Sequence, residues 1–502
     1  MNNGLPDDRG HLNMNKNRIK LNRWILAAVL GVPTILPALA SDEAEIEALK
    51  AQVQALDQKI RILERERELD QQGAADKAAT LPQITIGANG FSFGSADTNF
   101  SLAVHGVLQM DTRTFGHDDN IPGDSGFLLR RARPIISGTV FRDFDFLLVP
   151  EFGNASPGSA SSATTPSVFD AYINYRYSAA VQFQAGKFKT PIGLEQLQGD
   201  VNTTFNERSL VTDLVPNRDL GFELHGDIRG GLVSYAAGIF NGVGDARNTS
   251  NYSFQDNREF DGRVFVMPFK TSHTPALKNL GAGVGGGWGE ASLNNTLGLP
   301  NTTGSSTSPA QSGYTTDGQQ QFFAYNPTSG SVQASGAHWR LSPQASWYYG
   351  PLSLFGEYAI SDQSVETSGT VPLHSATLEN KAWEVTGGWV LTGEDASFNG
   401  ITPKHPFDPR KGYWGAWQVV GRYAELNIDQ AAFPYFSDPA TSASAAQAWA
   451  VGINWYLNKN LRADASFSHT TFTGGGTSTT STPGSVTSHP EDVFFTRLQL
   501  AF

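Results

Sequence analysis

The chain has 502 residues, a formal net charge of −12, 39% hydrophobic residues, 11% aromatics, 52 glycines and no cysteine. The missing cysteine excludes disulfides, thiolate metal sites and a cysteine nucleophile, and the acidic balance argues against a nucleic-acid binder. After residue 40 no stretch approaches the roughly 20 apolar residues of a transmembrane helix, which leaves open a membrane β-barrel, where only every second residue meets lipid.

Residues 1–40 read as a secretory signal. Lys16, Arg18, Lys20 and Arg23 form a basic region, Trp24 to Leu36 an apolar run, and Ala38-Leu39-Ala40 a small-x-small site that predicts cleavage before Ser41. Met14 offers a second start, with a signal of more usual length. Pro33 and Pro37 and the shortness of the run speak against a membrane anchor helix. Removing Arg9, Lys16, Arg18, Lys20 and Arg23 together with Asp7 and Asp8 takes the charge from −12 to about −15.

Residues 41–72 predict a helical coiled-coil arm. Ile46, Leu49, Val53, Leu56, Ile60 and Leu63 alternate spacings of three and four, the a/d pattern of a supercoiling helix. Ser41-Asp42-Glu43 suits its start. The run is short enough to need partner helices, which motivates an oligomer. The other reading is a single amphipathic helix lying on the barrel or the membrane. Gly73 to Pro82 predicts a break and a linker.

From about residue 83 the apolar period becomes two. Leu102, Val104, Leu108 and Met110 oppose His105, Gln109, Asp111 and Arg113; Trp417, Val419 and Tyr423 oppose Gln418 and Arg422; Leu461, Ala463, Ala465 and Phe467 oppose Arg462, Asp464 and Ser466. A soluble sandwich shares this alternation. Strands of about ten residues, Trp and Tyr near strand ends, and short turns alternating with long polar loops favour the membrane. Phe494, Leu498, Leu500 and the final Phe502 share a face, resembling the assembly signal of bacterial outer-membrane barrels. The expected fold is an all-β transmembrane barrel over 83–502, with about 16 antiparallel strands at roughly 25 residues per strand and loop, the size that leaves an aqueous channel; eighteen is the second count. Expected external loops are 154–167, 241–257, 293–334, 362–380, 395–412, 429–446 and 472–489.

Several segments resemble the phosphate-selective porin O/P family. They are Phe127-Leu128-Leu129-Arg130-Arg131-Ala132-Arg133, then Gly186-Lys187-Phe188-Lys189-Thr190-Pro191-Ile192-Gly193-Leu194-Glu195, then Glu207-Arg208-Ser209 leading to Arg218-Asp219-Leu220-Gly221, and finally Gly452 to Asn458 and Arg497 to Phe502. The resemblance covers most of 83–502 in order. It implies a trimeric 16-stranded porin of the outer membrane with an anion-preferring pore, used for phosphate or polyphosphate and lined by arginines and lysines.

Anion passage needs lumen-facing cations close enough to hand an anion onward, and guanidinium binds two phosphate oxygens at once. Strand parity puts Arg113, Arg422 and Arg462 in the lumen. Arg131 and Arg133 share a face and would be costly in lipid; Lys187 and Lys189 belong to the wall or to a loop folded inward after it. The plainer role for each is pairing with lumen acids such as Asp143, Asp145, Glu357 and Glu384. Asp118-Asp119-Asn120 with Asp124 offers hard oxygens without EF-hand spacing and reads as a solvated loop. No metal, cofactor or enzyme motif emerges, including the Ser/His pair of a barrel lipase. The expected partners are small anions, membrane lipid and two copies of the chain. Two other functions stay open: a porin for other small solutes such as organic acids or sugars, and a structural barrel whose arm, in the periplasm, contacts the cell wall.

Overall fold

The computed structural model describes residues 42–116, 125–153, 166–249, 257–295, 299–300, 302–303, 311–325, 331–369, 372–475 and 490–502. The predicted signal peptide and the acidic segment 118–124 lie outside the described residues. Helix and barrel are separate units that divide between Ala78 and Ala79.

Helix α1 spans Asp42–Thr80. It continues through Gly73, where the sequence predicted a break. One interior glycine costs about 1 kcal/mol, too little to stop an alanine-rich segment, whereas Leu81-Pro82 does stop it because the residue before proline avoids the helical region. Ile46, Leu49, Val53, Leu56, Ile60 and Leu63 are all more than half exposed. Among the described residues no helix is long and apolar enough to cross a membrane.

Strands β1 (Gln83–Gly87) and β2 (Gly90–Gly94) form a hairpin that the alternation did not single out. The chain then builds β3 (Ser101–Phe115), β4 (Gly126–Val140), β5 (Phe144–Glu151), β6 (Ser167–Ser178), β7 (Val181–Lys189), β8 (Arg218–Ile228), β9 (Val233–Phe240), β10 (Glu259–Val266) and β11 (Gly281–Asn295). A small separate sheet follows, made of β12 (Thr302–Thr303), β13 (Gln311–Thr315) and β14 (Gln321–Ala324). The wall resumes with β15 (Ser331–Tyr349), β16 (Leu352–Ser368), β17 (Ser375–Val390), β18 (Ala416–Asn427), β19 (Ala443–Tyr456), β20 (Leu461–Gly474) and β21 (Glu491–Ala501).

β3 to β11 and β15 to β21 pair antiparallel in order, and β21 pairs back onto β3 from Val493↔Phe115 to Ala501↔Val107, closing a barrel of 16 strands. The backbone groups of Phe502 and Gly106 complete that seam with bonds of 2.9 and 3.0 Å. β2 lies on the first residues of β3, Phe91↔Val104 to Gly94↔Ser101, and continues the row where β21 ends.

The barrel is polar inside and apolar outside. On β3, Leu108 and Met110 are 47% and 53% exposed, while Gln109, Asp111 and Arg113 between and beyond them are buried. The same inversion holds on β19 and β20, where Trp449, Val451 and Ile453 face outward and Asn454, Arg462, Asp464 and Ser468 are buried. No soluble fold exposes a continuous apolar wall of this kind; a bilayer covers it. Aromatics recur six residues apart on three neighbouring strands, as Trp383 and Trp389, Trp417 and Tyr423, and Trp449 and Trp455. They pair across strands, Trp417 on Trp455 at 5.0 Å and Trp383 on Tyr423 at 5.3 Å, as girdles do at the two interfaces.

Short connections gather at one end, including 141–143, 179–180, 350–351 and 457–460. The connection 391–415 lies at that same end, because β17 runs in the same direction as β15 and β19. The expected external loop 395–412 is therefore on the short-turn side. Length and polarity do not tell the ends apart; strand direction does.

Two segments fold into the lumen. The connection 190–217, between β7 and β8, touches the inner face of distant strands. Gln344 of β15 donates to the Ile192 carbonyl at 2.8 Å, Glu357 of β16 accepts from Glu195 N at 2.9 Å, and Gln499 of β21 donates to the Val201 carbonyl at 3.0 Å. Gly285 of β11 makes room for it, since a Cβ there would stand 2.8 Å from Ile192 Cα. The second segment is the β13–β14 hairpin. Its Tyr314, Phe322 and Phe323 pack with Leu210, Val211 and Leu214 of the first, and with inward Ala359, Leu378, Ala382 and Leu426, in one apolar core. That core sits in the lumen against β15 to β19, which also carry inward polar residues such as Arg340, Glu357, Glu384 and Arg422.

Candidate functional site

The charged interior is organised by two carboxylates of the inward segment 190–217, Asp200 and Glu207. Both are buried.

Asp200 meets five cations. Arg133 bonds it directly, Arg208 Nη2 donates to Oδ1 at 2.7 Å, Arg131 Nε stands 3.6 Å away, Lys189 Nζ 3.9 Å and Arg218 Nη2 4.0 Å. Burial alone would push this carboxyl up; Arg208, Arg133, Arg131 and Lys189 outweigh it and hold Asp200 well below the usual carboxylate range. Glu207 meets three more. Arg130 grips it through two bonds of 2.7 and 3.0 Å, Arg113 Nη2 donates at 2.7 Å, and Arg497 Nη2 lies at 3.8 Å. Glu207 too is held low, because Arg130 and Arg113 overcome the cost of its burial.

Arg130 was not singled out from the sequence, because strict alternation turns it outward when Arg131 points in. The register between β3 and β4 runs Gln109↔Arg131 and then Met110↔Leu129, so Arg130 is the extra residue of a β-bulge. The bulge brings neighbouring arginines to the same side, as bulges do when they re-aim a side chain. Arg208 and Arg218 also lie in segments that carry the family resemblance, and that was the available signal for them.

The sequence-derived cations are placed as follows. Arg131 and Arg133 of β4 and Lys189 of β7 converge on Asp200. Arg113 of β3 joins Glu207. Lys187 is buried on β7 in register with Ala171 and Leu220. Arg422 of β18 contacts Glu195 at 3.3 Å, the Glu207 carbonyl at 3.0 Å and Asp317 at 2.7 Å. Arg462 of β20 pairs with Asp464 at 2.7 Å and donates to the Thr203 carbonyl at 3.0 Å. Of the acids offered as partners, Glu357 anchors the inward segment, and Asp145 binds Arg176 at 2.6 Å.

Asp111, Glu151 and Asp170 pair with further members of these two clusters, and Asp464 and Glu491 stand close enough to act on Arg497 and Arg113. Asp111 binds Arg497 through two bonds of 2.7 Å, Glu151 binds Arg133, and Asp170 binds Arg218 at 2.9 and 3.2 Å. Eight cations thus make their ion pairs with five carboxylates among the described residues, with Asp464 and Glu491 near them. Arg113 Nε, Arg131 Nε and Arg497 Nη1 are buried and make no hydrogen bond among the described residues. Other buried acids stand elsewhere in the interior. Asp219, Glu259, Asp261, Glu357 and Glu384 lie on β8, β10, β16 and β17, with Arg340 bonded to Asp245 at 2.7 Å and to Glu259. Among the described residues no group of carboxylates and histidines has the geometry of a metal site.

A closed 16-stranded wall with lipid-facing apolar residues, a charged interior and an inward loop defines a porin of the outer membrane. The chain belongs to the family of phosphate-selective porins O and P, whose sequence profile matches residues 102–502. No curated protein sequence matches significantly. Solved structures similar to it include an anion-selective porin from Comamonas acidovorans, at 11% identity over 80% of this chain and 100% of that one with a TM-score of 0.47. OmpT of Vibrio cholerae matches at 10% identity over 80% and 98% with a TM-score of 0.46. The channel DcaP of Acinetobacter baumannii matches at 9% identity over 82% and 99% with a TM-score of 0.47.

Proposed function

We propose that this porin passes small anions, phosphate or polyphosphate among them, by passive diffusion along the basic side of its interior. The observation that carries this reading is the excess of cations over carboxylates around Asp200 and Glu207, together with the three buried N–H groups of Arg113, Arg131 and Arg497 that donate to nothing among the described residues. In this reading Arg113, Arg131, Arg133, Lys189, Arg422 and Arg462 hand the anion onward, with Lys187 beside them. The overall charge of −12 does not oppose it, because selectivity follows local charge, and other buried acids stand on other strands.

The precursor is cleaved after Ala40 in this scheme, which leaves α1 in the periplasm. The family resemblance implies a homotrimer, in which the exposed apolar stripe of α1 packs against the same stripe of the other copies. Contact of the arm with the cell wall is the other role for it.

The test is the single-channel reversal potential of the purified porin in a salt gradient, with phosphate added as a competitor. Anion preference and phosphate block of the chloride current are expected. Cation preference would defeat the anion reading. Anion preference without block would leave a porin for other small solutes.

A further inference from the structure

The connection 391–415 carries a small, well-braced lobe on the outside of the wall. Asp408 to Tyr413 form a miniature hairpin, in which Asp408 N donates to the Tyr413 carbonyl at 3.0 Å and Tyr413 N to the Asp408 carbonyl at 3.1 Å. Pro409 starts the turn, the Asp408 carboxylate accepts from Arg410 N at 3.2 Å, and Gly412 takes a φ of +74°, which glycine adopts without strain. His405 stacks on the Tyr413 ring at 4.5 Å. Arg410 and Lys411 are thereby presented at an exposed tip. Lys411 reaches back to Asp408 at 3.2 Å, whereas the Arg410 guanidinium has no hydrogen bond or ion pair among the described residues. The base of the hairpin is pinned to the lipid side. Trp455 of β19 points outward, since its neighbours Asn454 and Tyr456 are buried in the interior. Phe407 meets the Trp455 ring edge-on at 5.3 Å and the Trp414 ring at 5.7 Å, Trp455 Nε1 donates to the Trp414 carbonyl at 2.7 Å, and Phe407 N donates to the Leu457 carbonyl at 2.6 Å. Trp414 is more than half exposed, as are the outward Trp389 and Leu391 where β17 ends.

We propose that this hairpin is a binding site for an anionic phospholipid of the leaflet at the short-turn end. Indole rings settle at the headgroup level of a bilayer, so the Trp414 and Trp455 base fixes the depth of the lobe and sets Arg410 and Lys411 at the membrane surface. A guanidinium without a protein partner offers its forked edge to the two free oxygens of a phosphodiester. Lys411 adds a second positive charge, and only Asp408 answers the two within the hairpin. The remaining positive charge favours a headgroup that has no amine of its own, while the exposed rings beside the hairpin cover the start of the acyl chains. The aromatic base on a lipid-facing wall favours lipid over an acidic partner reached through water. The inference rests on the outer face of the barrel and is independent of the anion path.

The experiment titrates the purified porin in detergent with phosphatidylglycerol or with phosphatidylcholine of the same acyl chains and counts bound lipid by native mass spectrometry. Wild type is expected to hold its first phosphatidylglycerol more tightly than phosphatidylcholine. Arg410→Gln should weaken that site about fivefold, and Arg410→Gln with Lys411→Gln by more than about tenfold, the order expected for one surface charge each. Phosphatidylcholine binding should not change. Lys270→Gln, in another turn of the same end, should leave the site intact. Equal binding of the two lipids by wild type, or a preference that the double variant keeps, would overturn the site. A loss in Lys270→Gln equal to that in Arg410→Gln would overturn it too, by reducing the effect to the general charge of that end. Tighter binding at Arg410 of a soluble acidic fragment of the cell wall than of the lipid would overturn it in favour of a cell-wall contact.

Discussion

Asp200 shows how much a single residue carries when it is buried among cations. Replacing it with asparagine leaves five cations facing one less charge, and an uncompensated buried ion costs on the order of 3–5 kcal/mol. For Asp200→Asn we expect the segment 190–217 to loosen from the wall while the barrel persists. Trypsin should then cut after Arg208, and the open-channel current should become noisier. An uncut segment and a quiet current would show that the wall hydrogen bonds of Gln109, Asn454 and Gln499 hold it alone. The pH dependence has a definite sign. The folded carboxyl of Asp200 titrates well below its ordinary range, so its contribution is complete above the unfolded value of about 3.9 and is lost only as pH falls through the depressed one. The order of the segment around Asp200, read by hydrogen exchange of its amides, should therefore hold from neutrality down to about pH 4 and be lost only under stronger acid. A transition between pH 5 and 7 would contradict the pairing. Strand parity found Arg113, Arg422 and Arg462. It could not find Arg130, because that residue sits in a bulge, and a bulge breaks the period from which parity is read.

Among the elements, the β13–β14 hairpin meets the basic wall through its tip. Asp317 accepts from Arg422 at 2.7 Å and from the Ser468 hydroxyl at 2.9 Å, the Gly318 carbonyl accepts from Arg113 at 3.2 Å, and Thr316 donates to Glu491 at 2.9 Å. The hairpin thus covers two of the cations with its own carboxylate and carbonyl. Asp317→Ala should unmask Arg422 and shift the reversal potential toward the anion limit. The change should exceed that of an exposed surface charge, since the pair is buried and poorly screened. An unchanged potential would mean that Glu195, the other carboxylate on Arg422, is sufficient. Helix α1 teaches a different lesson about elements. Its helical character was readable, but its end was placed at residue 72, because a lone glycine was given more breaking power than about 1 kcal/mol allows.

The whole molecule is a charge-segregated interior wrapped in an apolar exterior. The exterior makes detergent or lipid a requirement: the processed chain should aggregate in plain buffer by light scattering, and a monodisperse solution would refute the membrane barrel. Segregation explains how an acidic chain can hold a basic path. Asp200 and Glu207 ride on a segment that crosses the lumen from β7 and β8 to reach β15, β16 and β21. The apolar core against β15 to β19 takes up part of the lumen beside the inward polar residues of those strands. Deleting residues 41–80 should leave single-barrel conductance intact and lower the stability of the proposed trimer, read as the oligomer mass in detergent; unchanged mass would count against a role of α1 in assembly.

What the amino-acid order determined without help was whatever depends on near neighbours. The period of two put apolar residues toward lipid and polar residues inward on β3, β18, β19 and β20, and with strand length it set the barrel and its count. The same order set the helical character of the arm. What only the tertiary structure decided was whatever depends on residues far apart in the chain meeting across the lumen. These are the inward course of 190–217, the end to which 391–415 belongs, and the gathering of Arg131, Arg133, Lys189, Arg208 and Arg218 on one carboxylate. The physical reason is that alternation is a local property of each strand, whereas the charge of a path is set by which strands closure brings around it and by which loop enters.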